Sequence, residues 1–378
     1  MRILLLADIH IGSIKNNDYV YNTIKDIIDK EVLCKKTDMI VILGDYFDRL
    51  FKANEDFISL SINLMSYIVR ACIKCKTKLR IVYGTESHEM NQYRLFNYHL
   101  TSTTVDMKIF DTVTVEEING KRILYVPEEY VDNKEEHYKK FFNQSYDYIF
   151  GHGTIEDGMP SIVSYSASSN KNNEKQVARF KSGDFTNISI LTVFGHFHIY
   201  TKMKDNVYYL GSLFRNSFGE EIPKYYGIIE DDKIEFIENN KAYVYKTYEY
   251  NETSHIFESS DNILKEIEKI KEENKEIFNG EKIGRIRMKF KTPPDVDPSF
   301  RDNLKTILFD NKYISPLIKE TSNEIIDEIK DDITDEFEYV IDNNLSAIDK
   351  IHTWINTQYS YPISLEELTK DINEPLSY

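Results

Sequence analysis

Carboxylates and imidazoles recur in this chain at one kind of place, directly after a short apolar run. Asp8-Ile9-His10 follows Ile3–Ala7, and Gly44-Asp45-Tyr46-Phe47-Asp48 follows Met39–Leu43. Gly151-His152 and Gly195-His196-Phe197-His198 repeat the device on later runs. Side chains two apart on a strand point the same way, so Asp8 and His10 share a face. Gly44 lets the chain turn sharply and aim Asp45 at the same rim. Five of the nine histidines, His10, His88, His152, His196 and His198, fall in such places. A mixed oxygen and imidazole set suits two octahedral or five-coordinate divalent ions such as Mn²⁺, Fe²⁺ or Zn²⁺, with Mg²⁺ also open. No thiolate joins these motifs, which argues against a structural zinc site. Two cations about 3.5–4 Å apart need a shared anion, and Asp45 is the natural bridge. Any single pair is as well explained by a strand-end loop with a satisfied polar side chain. The ordered set is not.

These residues need strands to carry them. Arg2–Ala7, Met39–Leu43, Leu79–Tyr83, Ile123–Val126, Tyr148–Phe150, Leu191–Phe194 and Tyr208–Leu210 read as strands. Tyr19–Glu31 and Phe57–Ile73 read as helices between them, and the alternation predicts an α/β domain. The Ser/Asn-rich stretch Ser161–Glu174 is a candidate mobile loop. Composition shifts near Glu238–Lys241. A strand (Ala242–Tyr250) and a charged amphipathic helix (Asn262–Phe278) follow, the helix stopped by Asn279-Gly280. Next, Ile286, Met288 and Phe290 alternate with Arg285, Arg287, Lys289 and Lys291, a half-buried strand with one wholly basic face. Such a face either lines a DNA path or is simply solvated. Beyond about residue 315 the pattern is helical. Ile326, Ile329, Ile333, Phe337 and Ile341 form one stripe, and Leu345, Ile348, Ile351 and Ile355 another, beside Trp354. Ser364-x-x-Glu367 is a capping box.

With 378 residues, two domains or two plus a tail are expected. The apolar runs are strand-sized and too short to span a bilayer, and the N-terminus does not read as a signal peptide. A cytoplasmic protein with no membrane partner is expected, in the host cytoplasm if the source is viral. Three cysteines cannot make a disulfide framework, and Cys72-x-x-Cys75 lacks a second pair to complete a zinc site. The net charge of −16 excludes a non-specific DNA coat but not an enzyme. The acidic excess is uneven, because Asn323–Asp342 carries nine acidic residues and one lysine.

The motif order D-x-H, G-D-x-x-D, a G-x-x-x-H-E variant, G-H, then G-H-x-H resembles the calcineurin-like metallophosphoesterase superfamily over roughly residues 1–230. The resemblance implies a four-layer α/β sandwich with two central sheets, its metals at the strand C-ends. One metal would take Asp8, His10, Asp45 and His198, the other Asp45, His152 and His196. His88 would protonate the leaving oxygen or steady the scissile phosphate, with Asp48 as a second catalytic candidate. One departure stands out. The superfamily reads G-N-H-[DE] at the third motif, with Asn as a ligand of the second metal. Here the text is Gly84-Thr85-Glu86-Ser87-His88-Glu89. Ser87 immediately precedes the histidine and is the candidate ligand, a poorer one than an amide oxygen. Glu86 is the candidate that compensates.

Within the superfamily, Tyr209-Leu210-Gly211-Ser212-Leu213-Phe214-Arg215-Asn216-Ser217-Phe218-Gly219-Glu220-Glu221 resembles the stretch after the last metal motif in SbcD-type nucleases. These are bacterial and phage counterparts of the nuclease in the eukaryotic MRN complex. The resemblance implies a nuclease domain (1–240), a small α+β cap for DNA recognition (241–315) and a helical C-terminal tail (316–378). The tail would dock an SMC-like ATPase of the SbcC type. It also implies exonuclease action on duplex ends, endonuclease action on single strands or hairpins, a preference for Mn²⁺, and a homodimer. Arg215 joins the four basic strand residues as a candidate DNA contact. Two rivals remain open: a phosphomonoesterase of the same superfamily, and a catalytically weak DNA-repair scaffold that lost full second-metal binding through Ser87.

Overall fold

The computed structural model describes residues 1–101, 104–158, 176–251, 253–292, 299–308 and 313–320. In chain order its strands are β1 (Ile3–Leu6), β2 (Met39–Leu43), β3 (Lys78–Val82), β4 (Met107–Phe110), β5 (Thr114–Ile118) and β6 (Lys121–Val126). Next come β7 (Tyr130–Val131), β8 (Tyr146–His152), β9 (Gln176–Val177), β10 (Ser189–Gly195), β11 (Thr201–Lys204) and β12 (Val207–Tyr209). The last are β13 (Tyr225–Glu230), β14 (Lys233–Glu238), β15 (Val244–Tyr250), β16 (Gly284–Thr292) and β17 (Ile314–Glu320). The helices are α1 (Asn17–Ile28), α2 (Asp56–Cys75), α3 (Glu86–Glu89), α4 (Asn97–Leu100) and α5 (Lys134–Phe142). They continue with α6 (Ser182–Thr186), α7 (Ser260–Glu273), α8 (Lys275–Phe278) and α9 (Ser299–Leu308). The candidate mobile loop Ser161–Glu174, both apolar stripes of the tail and its capping box lie outside the described residues.

Two six-stranded sheets dominate, ordered β14-β13-β1-β2-β3-β4 and β11-β12-β10-β8-β6-β5. Strands β1 to β4 run parallel, as do β6, β8, β10 and β12, so in each sheet the C-terminal ends share an edge. Parallel strands covered on both faces read as unbroken apolar runs, and every residue of β1 and β2 is buried. Their side chains divide by alternation. Leu4, Leu6, Ile40 and Ile42 pack with Ile24, Leu64 and Ile68 of the helices on one side. Ile3, Leu5, Met39 and Val41 pack with Tyr125, Tyr148, Phe150 and Val193 of the second sheet. The far face of that sheet, with Leu124, Ile149 and Phe194, packs with Tyr138, Phe141 and Phe185. The order is therefore helix, sheet, sheet, helix, the four-layer α/β sandwich.

Helix α2 is long and apolar enough to cross a membrane by length and composition. Its Leu60, Leu64, Met65, Ile68 and Val69 are instead buried in the core, as expected for an amphipathic helix against a sheet. Cys72 is buried on the same helix, and burial raises its thiol to about 12, which makes it a packing residue. Between the sheets' edges, Arg80 is almost fully buried. Its Nε donates to Glu116 Oε2 at 2.7 Å, and an Nη lies 2.8 Å from Asp106 Oδ1. Strands β13 and β14 form a hairpin over Asp231-Asp232 (φ 51° and 61°), the primed turn that two successive left-handed residues make.

The chain divides into two compact units. The first comprises Met1–Tyr248, Leu264–Met288 and Ile307–Ser315. The second comprises Glu249–Ile263, Lys289–Thr306 and the described residues from Pro316 on. Strands β15, β16 and β17 make a three-stranded sheet in that order. Along β16 the expected alternation holds: Ile286, Met288 and Phe290 are buried, Arg285 and Lys291 exposed, Arg287 and Lys289 half-buried. In the second unit Phe290 meets Tyr250, Phe257 and Phe300. In the first, the single helix expected over Asn262–Phe278 breaks at Asn274. That side chain is buried and donates to Tyr248 Oη at 2.8 Å and the Ile270 carbonyl at 2.7 Å.

Candidate metal centre

The loops that leave β1 and β2 are stitched together before any side chain is considered. His10 N–H donates to the Asp45 carbonyl (3.0 Å), Ile11 N–H to the Tyr46 carbonyl (2.9 Å) and Asp48 N–H to the Ile11 carbonyl (3.0 Å). Asp8 and Asp45 are thereby held at the same rim. Gly44 (φ 75°) makes the turn, and a Cβ there would lie 2.1 Å from His152 Nδ1. Asp8, His10, Asp45 and His196 occupy the left-handed region, with φ of 47°, 46°, 44° and 102°. Non-glycine residues pay strain energy there, and such residues cluster at functional sites.

Three overlapping triads result: Asp8 with His10 and His198, His10 with Asp45 and His88, and Asp45 with His152 and His196. Within each, the ligand atoms lie within 4.8 Å of one another. His10 Nε2 and His198 Nε2 face each other at 2.9 Å. Two nitrogens each about 2.1 Å from one cation, at right angles, would be about 3.0 Å apart. His152 Nε2 and Asp45 Oδ2 are separated by 3.3 Å, and His10 Nε2 and Asp45 Oδ2 by 3.8 Å. Asp8 Oδ2 is buried without a hydrogen-bond partner among the described residues. An orphaned buried carboxylate oxygen beside opposed imidazole nitrogens fits a divalent cation.

Neighbours fix which nitrogen each imidazole presents. A backbone carbonyl can only accept, so His152 Nδ1 donates to Leu43 O (2.8 Å) and Nε2 is left for the centre. His88 Nδ1 donates to the Asp48 carbonyl by the same logic, which turns Nε2 outward. His196 Nε2 hydrogen-bonds with Thr154 Oγ1 (3.3 Å), and its backbone N–H donates to Asp8 Oδ1 (2.9 Å). His198 Nδ1 donates to Glu220 Oε1 (3.1 Å), whose other oxygen accepts from Lys224 Nζ. Lys224 in turn reaches Ser212 Oγ at 2.8 Å and the His198 carbonyl at 3.0 Å.

The electrostatics follow from this crowding. Burial and the neighbouring Asp45 charge push the Asp8 carboxyl up against its imidazole neighbours. Burial works the same way on Asp45, but His152 and His10 hold it well below the usual carboxylate range. Burial opposes the charged form of His152, yet Asp45 beside it lifts the ring to about 10. Burial and the positive His152 depress His196 to about 3. Glu220 stays at about 2 despite its burial, because His198 and Lys224 both donate to it. Glu89, which accepts from Tyr46 N–H and Tyr93 Oη, is pushed up to about 8 by burial and by Asp45.

The third motif departs from the sequence expectation. Ser87 is exposed on α3, and so is Glu86. Thr85, directly after Gly84, faces the centre instead. Its N–H donates to Asp45 Oδ1 at 2.7 Å, and its Oγ1 lies 3.4 Å from His152 Nε2 and 3.5 Å from His196 Nδ1. The reason is local. The residue following a strand-end glycine inherits the strand's direction, while α3 rotates Ser87 away. Glu128 also arrives unannounced by any motif, with its carboxylate 3.7 Å from His196 Nδ1.

Asp48 lies at the rim, its Oδ1 3.4 Å from His10 Nδ1. Arg215 is not displayed for a ligand: its Nε donates to the Ile222 carbonyl (2.8 Å) and an Nη to those of Ala242 and Tyr243 (3.3 and 3.2 Å). Of the basic strand, Arg287 stacks over Phe218 (4.1 Å) and Lys289 pairs with Glu249 (3.0 Å).

No curated protein matches the chain. Among solved structures, one aligns over 63% of this chain and 99% of its own at 12% identity, with a TM-score of 0.38. The sequence model of the calcineurin-like phosphoesterase family matches residues 1–200, which span the motifs from Asp8 to His198. That family binds two divalent metals and hydrolyses phosphoesters, and the three triads supply candidate ligands for both. By motif order, sheet architecture and ligand convergence alike, the chain belongs to the calcineurin-like phosphoesterase family.

Proposed function

We propose that this phosphoesterase is a DNA nuclease, cutting duplex ends as an exonuclease and single strands or hairpins as an endonuclease. Its setting would be DNA end processing, repair or recombination. It would work as a homodimer with Mn²⁺ and dock an SMC-like ATPase through the chain beyond residue 315. The observation that carries the substrate is β16, which sets four cationic side chains on one face in a chain of net charge −16. Such a face would suit contact with successive phosphates of a DNA backbone, each contact releasing counterions.

Bound at the centre, the cations would supply an activated water and neutralise charge on the phosphoryl group. Asp45 would be shared between them, with Asp8, His10 and His198 serving one side and His152 and His196 the other. His88, its Nδ1 committed to the Asp48 carbonyl, would present Nε2 to protonate the leaving oxygen.

The test is an end-labelled duplex and a chromogenic phosphomonoester incubated in parallel with Mn²⁺. The expected outcome is DNA cleavage, with His88→Ala lowering kcat by about 10²–10⁴-fold while two ions remain bound. Rapid phosphomonoester turnover with intact DNA would establish the phosphatase reading in its place.

A further inference from the structure

The second cation is short of donors. Asp45, His152 and His196 give three, while the hard or borderline ions that suit this set take five or six. Charge is short as well. Two divalent cations bring +4, and the buried carboxylates of Asp8 and Asp45 return −2.

One further carboxylate points at the gap. Glu128 follows β6 and Pro127, and its backbone N–H is tied to the Tyr83 carbonyl at 3.3 Å. Its side chain is only 4% exposed. Oε2 lies 3.7 Å from His196 Nδ1 and 3.4 Å from Thr85 Oγ1. Thr85 Oγ1 is in turn 3.4 Å from His152 Nε2, the nitrogen that the Leu43 carbonyl leaves available. His196 turns its Nδ1 towards the same hydroxyl, 3.5 Å away, while its Nε2 lies 3.3 Å from Thr154 Oγ1. The Glu128 carboxylate and two imidazole nitrogens thus each lie within 3.5 Å of the Thr85 hydroxyl, although Glu128 stands outside the three tight triads. No cationic side chain is paired with Glu128 among the described salt bridges; its one ion-pair neighbour is His196.

We propose that Glu128 is an anionic ligand of the second cation, with the Thr85 hydroxyl beside it. The third motif's missing amide would thus be replaced by a carboxylate from a different strand end. The site would carry three carboxylates against +4, favouring oxygen-loving ions such as Mn²⁺ or Mg²⁺ over Zn²⁺. This rests on the two-cation reading of the centre and is independent of the substrate.

The experiment is a calorimetric Mn²⁺ titration of the full chain, wild type beside Glu128→Gln, with circular dichroism to establish that the variant is folded. The wild type should bind two ions. In the variant the weaker step should fall about 10–100-fold, with the tighter step unchanged, a magnitude typical of losing a supporting carboxylate. Two equally tight steps in the variant would overturn the proposal. A single step in the wild type would instead overturn the dinuclear reading beneath it. Should the variant not fold, anomalous scattering from Mn²⁺-soaked wild-type crystals decides. A Glu128 oxygen within about 2.0–2.6 Å of the second ion supports the assignment, and one beyond about 3 Å refutes it.

Discussion

Replacing Glu220 by Gln should weaken both the fold and the metal centre, and the two effects can be measured apart. Glu220 is buried, yet its carboxyl lies at about 2 against an ordinary 4.5, because His198 Nδ1 and Lys224 Nζ both donate to it. That difference of roughly 2.5 units, at about 1.36 kcal/mol each, corresponds to about 3 kcal/mol of preference for the charged form in the folded state. A group whose folded value is depressed contributes stability that is fully present above its unfolded value. The contribution is lost as pH falls through the folded value. The deficit of Glu220→Gln should therefore be complete at pH 7 and should shrink as pH drops from 4.5 towards 2. Lys224, left buried beside a neutral amide, adds to the loss. Urea unfolding of chelator-treated protein at pH 7 should show a loss of about 3 kcal/mol or more. In a Mn²⁺ titration the ion served by His198 should bind about 10–100-fold more weakly, since the ring loses the carboxylate that orients it. Superimposable urea curves at pH 7 would refute the reasoning, because the pair would then contribute nothing to the folded state.

Gly84→Ala would place a Cβ 2.3 Å from both the nitrogen and Oδ1 of Asp45. A displacement of the Asp45 carboxylate by about 1 Å should lower turnover by about 10²-fold, and unaltered kinetics would count against Asp45 as the shared ligand. Arg80→Ala leaves the half-buried Glu116 with only Lys108 and Tyr125 as partners, so urea unfolding should show a loss of about 2–3 kcal/mol. A loss below about 1 kcal/mol would mean the ion pair is dispensable. Changing Arg285, Arg287, Lys289 and Lys291 together to Gln should flatten the slope of log affinity for duplex DNA against log salt by up to about 4 × 0.9. Fluorescence anisotropy across a salt series measures it, and an unchanged slope would remove β16 from the DNA path.

The parallel strands could be read from the sequence because burial on both faces leaves an uninterrupted apolar run, as in β1 and β2. The carboxylates and imidazoles that the structure gathers into three triads follow such runs directly in the sequence. The hairpin of β13 and β14 was not anticipated. Its turn is two aspartates rather than a glycine pair, and β14 alternates with charged residues that resemble loop composition. Ser87 reads as the candidate because it adjoins His88 in sequence. Two extra residues in the motif leave the glycine's successor, Thr85, at the rim, and proximity to the strand end outweighs proximity to the histidine. Glu128 carries no motif at all. Only the parallel pairing of β6 with β8, beside which His152 emerges, brings it to His196. Arg215 looked available because charge is legible in a sequence and the carbonyls that consume it are not.

The four left-handed turns at Asp8, His10, Asp45 and His196 work against the fold that houses them. At about 1–3 kcal/mol each, they take back a share of what the sandwich core provides. Glycine would relax every one of them and abolish the coordination. The rim's contorted backbone is thus a burden that the sandwich core carries so that these four side chains can meet.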